Sequence, residues 1–158
     1  MADARSTHRT NTVALGFQGI GLEAGHRFGT LAELAVAKLL CIWPEMGIDD
    51  RKDIPAHDLK LPSGLTIEVK SRRKAGGEFA LNNDRLSSFR SSFGVLCWPG
   101  PDDTAVDVVG FMTGPDFQAL CYTGDLGRGP RLIYPTDRLR PISQLVSIAY
   151  DRQFGAPV

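Results

Sequence analysis

Asp58, Glu68 and Lys70 are the residues whose types and spacing point to chemistry. Residues 58–61 (DLKL) and 65–70 (LTIEVK) alternate strictly between polar and apolar. Leu59, Leu61, Leu65, Ile67 and Val69 point one way, and Asp58, Lys60, Thr66, Glu68 and Lys70 point the other. Period two marks half-buried strands. Pro62, Ser63 and Gly64 between them read as a three-residue hairpin loop, with glycine where a left-handed residue is wanted. This register sets residue 60 against 66, 59 against 67, and Asp58 against Glu68, about 5 Å apart at Cβ. Lys70 follows on the same face, ~7 Å along.

Two carboxylates opposed in a sheet repel each other, and something must offset that. A hard divalent cation does so directly; Mg²⁺ takes one or two carboxylates and keeps several waters, and Mn²⁺ can substitute. The Val69 carbonyl borders the same place and offers a further oxygen. Lys70 suits the charge that builds on a phosphate in hydrolysis, or the orientation of a water whose pKa a metal has lowered. The set suits hydrolysis of a phosphodiester.

Asp58, ten residues, then Glu68-Val69-Lys70 on a hairpin resembles the PD-(D/E)XK nuclease superfamily. This is the restriction-endonuclease-like fold, which includes Holliday junction resolvases. The resemblance spans roughly residues 25–120 and rests on a short motif. It departs at the proline, which stands at position 55 and not beside Asp58. It implies Mg²⁺-dependent cleavage of DNA, often by homodimers, with Asp58, Glu68 and Val69 at the metal. It also implies an acidic residue on the first helix near the metal, and Glu33 (in GTLAELAV) matches that position. Thr30-Leu31-Ala32-Glu33 equally fits a capping box, in which Glu33 would bond back to the helix start. Against the capping box, Glu33 shares its helix face with Val36, Ala37 and Leu40, where a carboxylate wants a partner.

The densest positive run, Lys70-Ser71-Arg72-Arg73-Lys74, abuts this set, as phosphate binding requires. Arg85 on the next segment extends it, and Arg128, Arg131, Arg138, Arg140 and Arg152 form a second basic district. A solvated loop is the competing reading of the run. Aromatic residues are sparse beside these cations, so a base-stacking platform is weakly supported.

The elements that must position these residues follow from periodicity. Residues 28–42 form the best helix, with Pro44 and Gly47 beyond its end. Residues 81–92 read as a short polar helix, 93–99 and 105–112 as strands, and 114–121 as a short helix with Pro115 in its first turn. Residues 142–150 read as a last helix or strand, after a Gly-, Pro- and Arg-rich stretch from 122. The expected class is α/β, a mixed sheet flanked by helices in the order αβββαβ. Residues 1–25 read as a tail or loosely packed segment, and 26–158 as one nuclease-like domain.

Composition bounds the rest. Of 158 residues, 42% are hydrophobic, enough for a real core, and the formal net charge is zero. No global field then favours nucleic acid, so any such site must be a local patch. Three widely spaced cysteines (Cys41, Cys97, Cys121) fit neither a disulfide framework nor a zinc site, and read as buried reduced thiols. No run approaches the ~20 apolar residues that span a bilayer. A cytoplasmic protein is expected. A nucleic-acid-binding or assembly module that keeps the fold without cutting is the alternative function.

Overall fold

The computed structural model describes residues 11–15, 25–42, 57–82, 89–102 and 105–154. In chain order the elements are β1 (Asn11–Ala14), α1 (Gly25–Leu39), β2 (Leu59–Lys60), β3 (Thr66–Ser71), β4 (Phe79–Asn82), β5 (Phe93–Pro99), β6 (Ala105–Thr113), α2 (Gly114–Leu120), β7 (Tyr122–Asp125), β8 (Pro130–Tyr134) and α3 (Ile142–Phe154). The chain is α/β. A five-stranded mixed sheet runs β1–β6–β5–β3–β2, and a three-stranded sheet runs β4–β8–β7. Among the described residues only β3 and β5 pair in parallel.

The hairpin forms in the expected register, Leu59 against Ile67 and Lys60 against Thr66. Gly64 takes a φ of 86°, the left-handed geometry its loop requires. Alternation then divides the sheet. Ile67, Val69, Phe93, Val95 and Cys97 join Ala32, Ala35 and Val36 of α1 and Ile142 and Leu145 of α3 in one core. Leu96, Val109 and Met112, from the opposite face, join Phe79 and Leu81 of β4, Leu132 and Tyr134 of β8, and Phe117 of α2. Aromatic edges tighten this second core: Phe79 and Phe117 meet at 5.9 Å between centroids, and Phe89 and Phe117 at 4.8 Å.

Several expectations need correcting. Helices flank the mixed sheet, α1 and α3 on one face and α2 on the other, but that second face also carries the three-stranded sheet. The order αβββαβ therefore omits strands at both ends of the chain. Asn11–Ala14, placed in the tail, is an edge strand paired with β6. Val13 supplies the apolar contact and Lys38 ties down Ala14 through its carbonyl at 2.7 Å. The polar helix expected at 81–92 is absent where it is described. Leu81 and Asn82 end β4, and residues 89–92 are irregular. Burial of Phe79, Ala80 and Leu81 and pairing with β8 override the polar composition that follows. The Gly-rich stretch from 122 is a hairpin, β7–β8, and α3 settles the last element as helix.

Candidate active site at the edge of β3

β3 is held on one side by β5, with Glu68 opposite Gly94 and Lys70 opposite Leu96. On its other side, β2 covers only the first part of β3. The Asp58 N–H donates to the Ile67 carbonyl, and the ladder goes no further than Leu59. The chain bends at His57 and Asp58, so Asp58 is not the ladder partner of Glu68. Its carboxylate does what a strand would have done: Oδ2 accepts the Val69 N–H at 2.7 Å. The Val69 N–H and carbonyl leave the strand on the same side, so that carbonyl also lies on the Asp58 side.

Glu68 and Lys70 project on the face of Gly94 and Leu96. Glu68 is buried, and its Oε1 accepts from Lys70 Nζ at 2.5 Å. Glu33 approaches from α1, which covers the opposite face. The four residues therefore do not share one sheet face. They surround the edge of β3 where β2 ends, close enough to feel one another's charge. The capping-box reading of Glu33 fails, because α1 begins at Gly25 and Thr30 lies inside the helix.

The electrostatics follow from this geometry. Burial pushes the Glu33 carboxyl above its ordinary value, Asp58 and Glu68 push it further, and Lys70 opposes them. Burial likewise raises Asp58, although the residue as a whole is exposed, because its carboxylate turns inward against Val69. The Val69 N–H lowers Asp58 in part, Glu68 raises it, and Lys70 and His57 lower it. Three carboxylates with one lysine among them make an acceptor-rich site of excess negative charge.

The donor chemistry fits a hard divalent cation: carboxylates of Asp58, Glu68 and Glu33, with the Val69 carbonyl beside them. The side chains do not stand ready-made for it. Among the described residues, no three Asp, Glu, His or Cys side chains are gathered as a metal-ligating group. Ligation by Glu68 Oε1 would have to loosen Lys70 from it.

Of the residues expected to bind nucleic acid, Arg85 lies outside the described residues. Ser71 sits against α1, its Oγ 3.9 Å from the space a Cβ on Gly29 would fill. Arg72 is already committed: its Nε donates to the Glu78 carbonyl at 2.6 Å and Nη2 reaches the Ala80 carbonyl at 3.5 Å. Burial and the nearby Arg131 lower its pKa. Arg72 is a clamp on the β3–β4 connection. Arg73 and Lys74 are exposed. With Arg128 and Arg131 they line a cavity of about 780 Å³ that begins at Ser71, next to Lys70. Sequence spacing gave no sign that Arg128 and Arg131 share a cavity with the first basic run, because a strand pairing between β4 and β8 brings them together; Arg138 and Arg140 of the same district do not line it.

The chain matches no family model, no curated protein and no solved structure. No helix among the described residues is long and apolar enough to cross a membrane.

Proposed function

We propose that this chain is a Mg²⁺-dependent DNA endonuclease with a restriction-endonuclease-like core, cutting by structure as a Holliday junction resolvase does and acting as a homodimer. One observation carries the reading: Glu33, Asp58, Glu68 and Lys70 surround one strand edge, with Asp58 fixed there by the Val69 N–H.

Asp58, Glu68, Glu33 and the Val69 carbonyl would hold the cation. When bound, it lowers the pKa of an attacking water and offsets charge on the phosphate. The protein's own part is positional. Asp58 is locked by its backbone bond, so its free oxygen has a fixed aim. The short Lys70–Glu68 bond holds the ammonium at the site, from which it can turn to a phosphate oxygen as negative charge grows there. Burial of Glu68 against Gly94 keeps that pair partly out of water, where its field is stronger.

A second reading, a binding or assembly module without catalysis, draws on the absence of a gathered ligand group among the described residues. Cleavage of labelled linear duplex, single strand, flap and four-way junction with Mg²⁺, Mn²⁺ or EDTA separates the two. Cutting that needs metal and is lost in Asp58→Asn and Lys70→Ala supports the nuclease, with the junction as preferred substrate. Binding by all three proteins without cutting by any would establish the module. Sedimentation in the presence of DNA tests the dimer.

A further inference from the structure

The cavity beside Lys70 has a composition that the catalytic edge does not explain. Arg72, Arg73, Lys74, Arg128 and Arg131 line it against one carboxylate, Glu78, in a chain of zero net charge. Glu78 is drawn off toward Tyr122, whose hydroxyl lies 3.3 and 3.4 Å from its two oxygens. Arg72 forms the rear wall, tied to backbone carbonyls. Trp98 reinforces that wall, donating Nε1–H to the Gly77 carbonyl at 2.7 Å. The side chains of Arg73, Lys74, Arg128 and Arg131 make no hydrogen bond or ion pair to any described residue. Four cations without a partner carboxylate around one cavity give it a local positive field, and an anion placed there gains from all of them.

The front wall is built as well. Asp125 Oδ1 accepts three backbone N–H groups of the β7–β8 loop, from Gly127, Arg128 and Gly129, at 2.7, 3.1 and 3.1 Å. Gly127 and Gly129 adopt φ of 89° and 87°, which ordinary side chains resist. The loop is therefore fixed in the one posture that holds Arg128 between them at the cavity wall. Arg131 is placed by the β4–β8 ladder, opposite Asn82.

We infer that this cavity binds the sugar-phosphate backbone of one nucleic-acid strand, which runs from the catalytic edge at Lys70 past Lys74 and Arg131 to Arg128. The inference rests on the nuclease reading for the strand's destination and not for its binding. A volume of about 780 Å³ falls in the range of ligand pockets and is too small for a duplex. The lining has no aromatic ring on which bases could stack, so phosphates are the groups recognised.

The test is equilibrium binding of a fluorescent 12-nucleotide single strand to the full chain in EDTA, where hydrolysis plays no part. Lys74→Ala and Arg128→Ala, both at exposed positions, should each weaken binding about three- to tenfold and lower the slope of log affinity against log salt by about 0.7. Arg138→Ala, outside the cavity, should leave both unchanged. Cavity variants that bind like the parent, or an equal loss in Arg138→Ala, would overturn the inference. So would a mononucleotide or inorganic phosphate that binds as tightly as the oligomer, because the cavity would then be a small-anion site. A chain that binds in this way but never cuts would defeat the nuclease and leave the strand site standing.

Discussion

Asp58 takes the place of a strand at the edge of β3, its Oδ2 accepting the Val69 N–H at 2.7 Å where β2 no longer runs. A side chain that fills a backbone position is held as rigidly as the sheet it joins. The same bond makes Asp58 both a structural cap and a candidate metal ligand, and substitutions can separate the roles. Asp58→Asn retains an amide oxygen to accept from Val69 and should keep the parent's melting temperature while losing metal-dependent cleavage. Asp58→Ala strands the N–H and should also cost about 1–3 kcal/mol of stability. Equal melting temperatures for the parent and Asp58→Ala would show that the bond contributes nothing.

Glu33 should set a pH dependence of stability. Its carboxyl is raised in the folded chain by burial and by Asp58 and Glu68. The folded state therefore holds its proton to higher pH than the unfolded state does. Between the ordinary glutamate value and the raised one, stability falls as pH rises, and the loss persists above that window. Glu33→Gln removes the charge, so its melting temperature should exceed the parent's at pH 7 by about 1–3 °C, the scale of a partly screened charge interaction. The difference should vanish below pH 4. Mg²⁺ should raise the parent's melting temperature and leave that of Glu33→Gln nearly unmoved. A variant less stable than the parent at pH 7 would mean that Glu33 gains more from its surroundings than it loses.

Much of the hairpin was legible because alternation and a Pro-Ser-Gly loop specify register together: one slipped residue would expose Ile67 and Val69. The shape of the candidate site was not legible. Strict alternation placed Asp58 in the ladder, whereas a bend at residues 57–58 takes it out. β4 was hidden because Phe79, Ala80 and Leu81 form a short apolar run whose partner, β8, lies some fifty residues on. Pairing at that distance leaves no periodic trace in either segment. The union of Lys74 with Arg128 and Arg131 was hidden for the same reason.

Gly110 marks a close approach of two backbones within β6. Beside it, Phe111 and Arg140 exchange N–H···O bonds of 3.0 and 2.7 Å. A Cβ at Gly110 would stand 2.7 Å from the Arg140 carbonyl oxygen and 3.0 Å from Leu139 Cβ. Backbone cannot swing aside as a long side chain can, so the bridge must open or shift. Gly110→Ala should destabilise the chain by roughly 1–3 kcal/mol, read by denaturant unfolding with an unchanged m-value. The strand and the segment leading into α3 meet at this bridge. An unaltered midpoint would show that the segment yields freely.

Cys41 ends α1 in a conformation that its residue type resists. Its φ is 54°, and the Ile42 N–H reaches back to the Ala37 carbonyl at 3.0 Å, closing the helix in the manner that glycine usually serves. No glycine stood there to reveal the end, and Pro44 and Gly47 suggested a later one. The expectation of three buried thiols fails here too: Cys97 is buried, Cys121 half-buried, and Cys41 exposed. Burial raises the Cys97 thiol far above its ordinary value and makes it inert. A thiol reagent should therefore modify Cys41 first in the native chain and spare Cys97 until unfolding. Cys41→Gly should remove the fast-reacting thiol and raise stability by about 0.5–1 kcal/mol, because glycine adopts the left-handed geometry without a Cβ clash. A fall in melting temperature would show that the side chain at position 41 contributes more than its backbone strain costs.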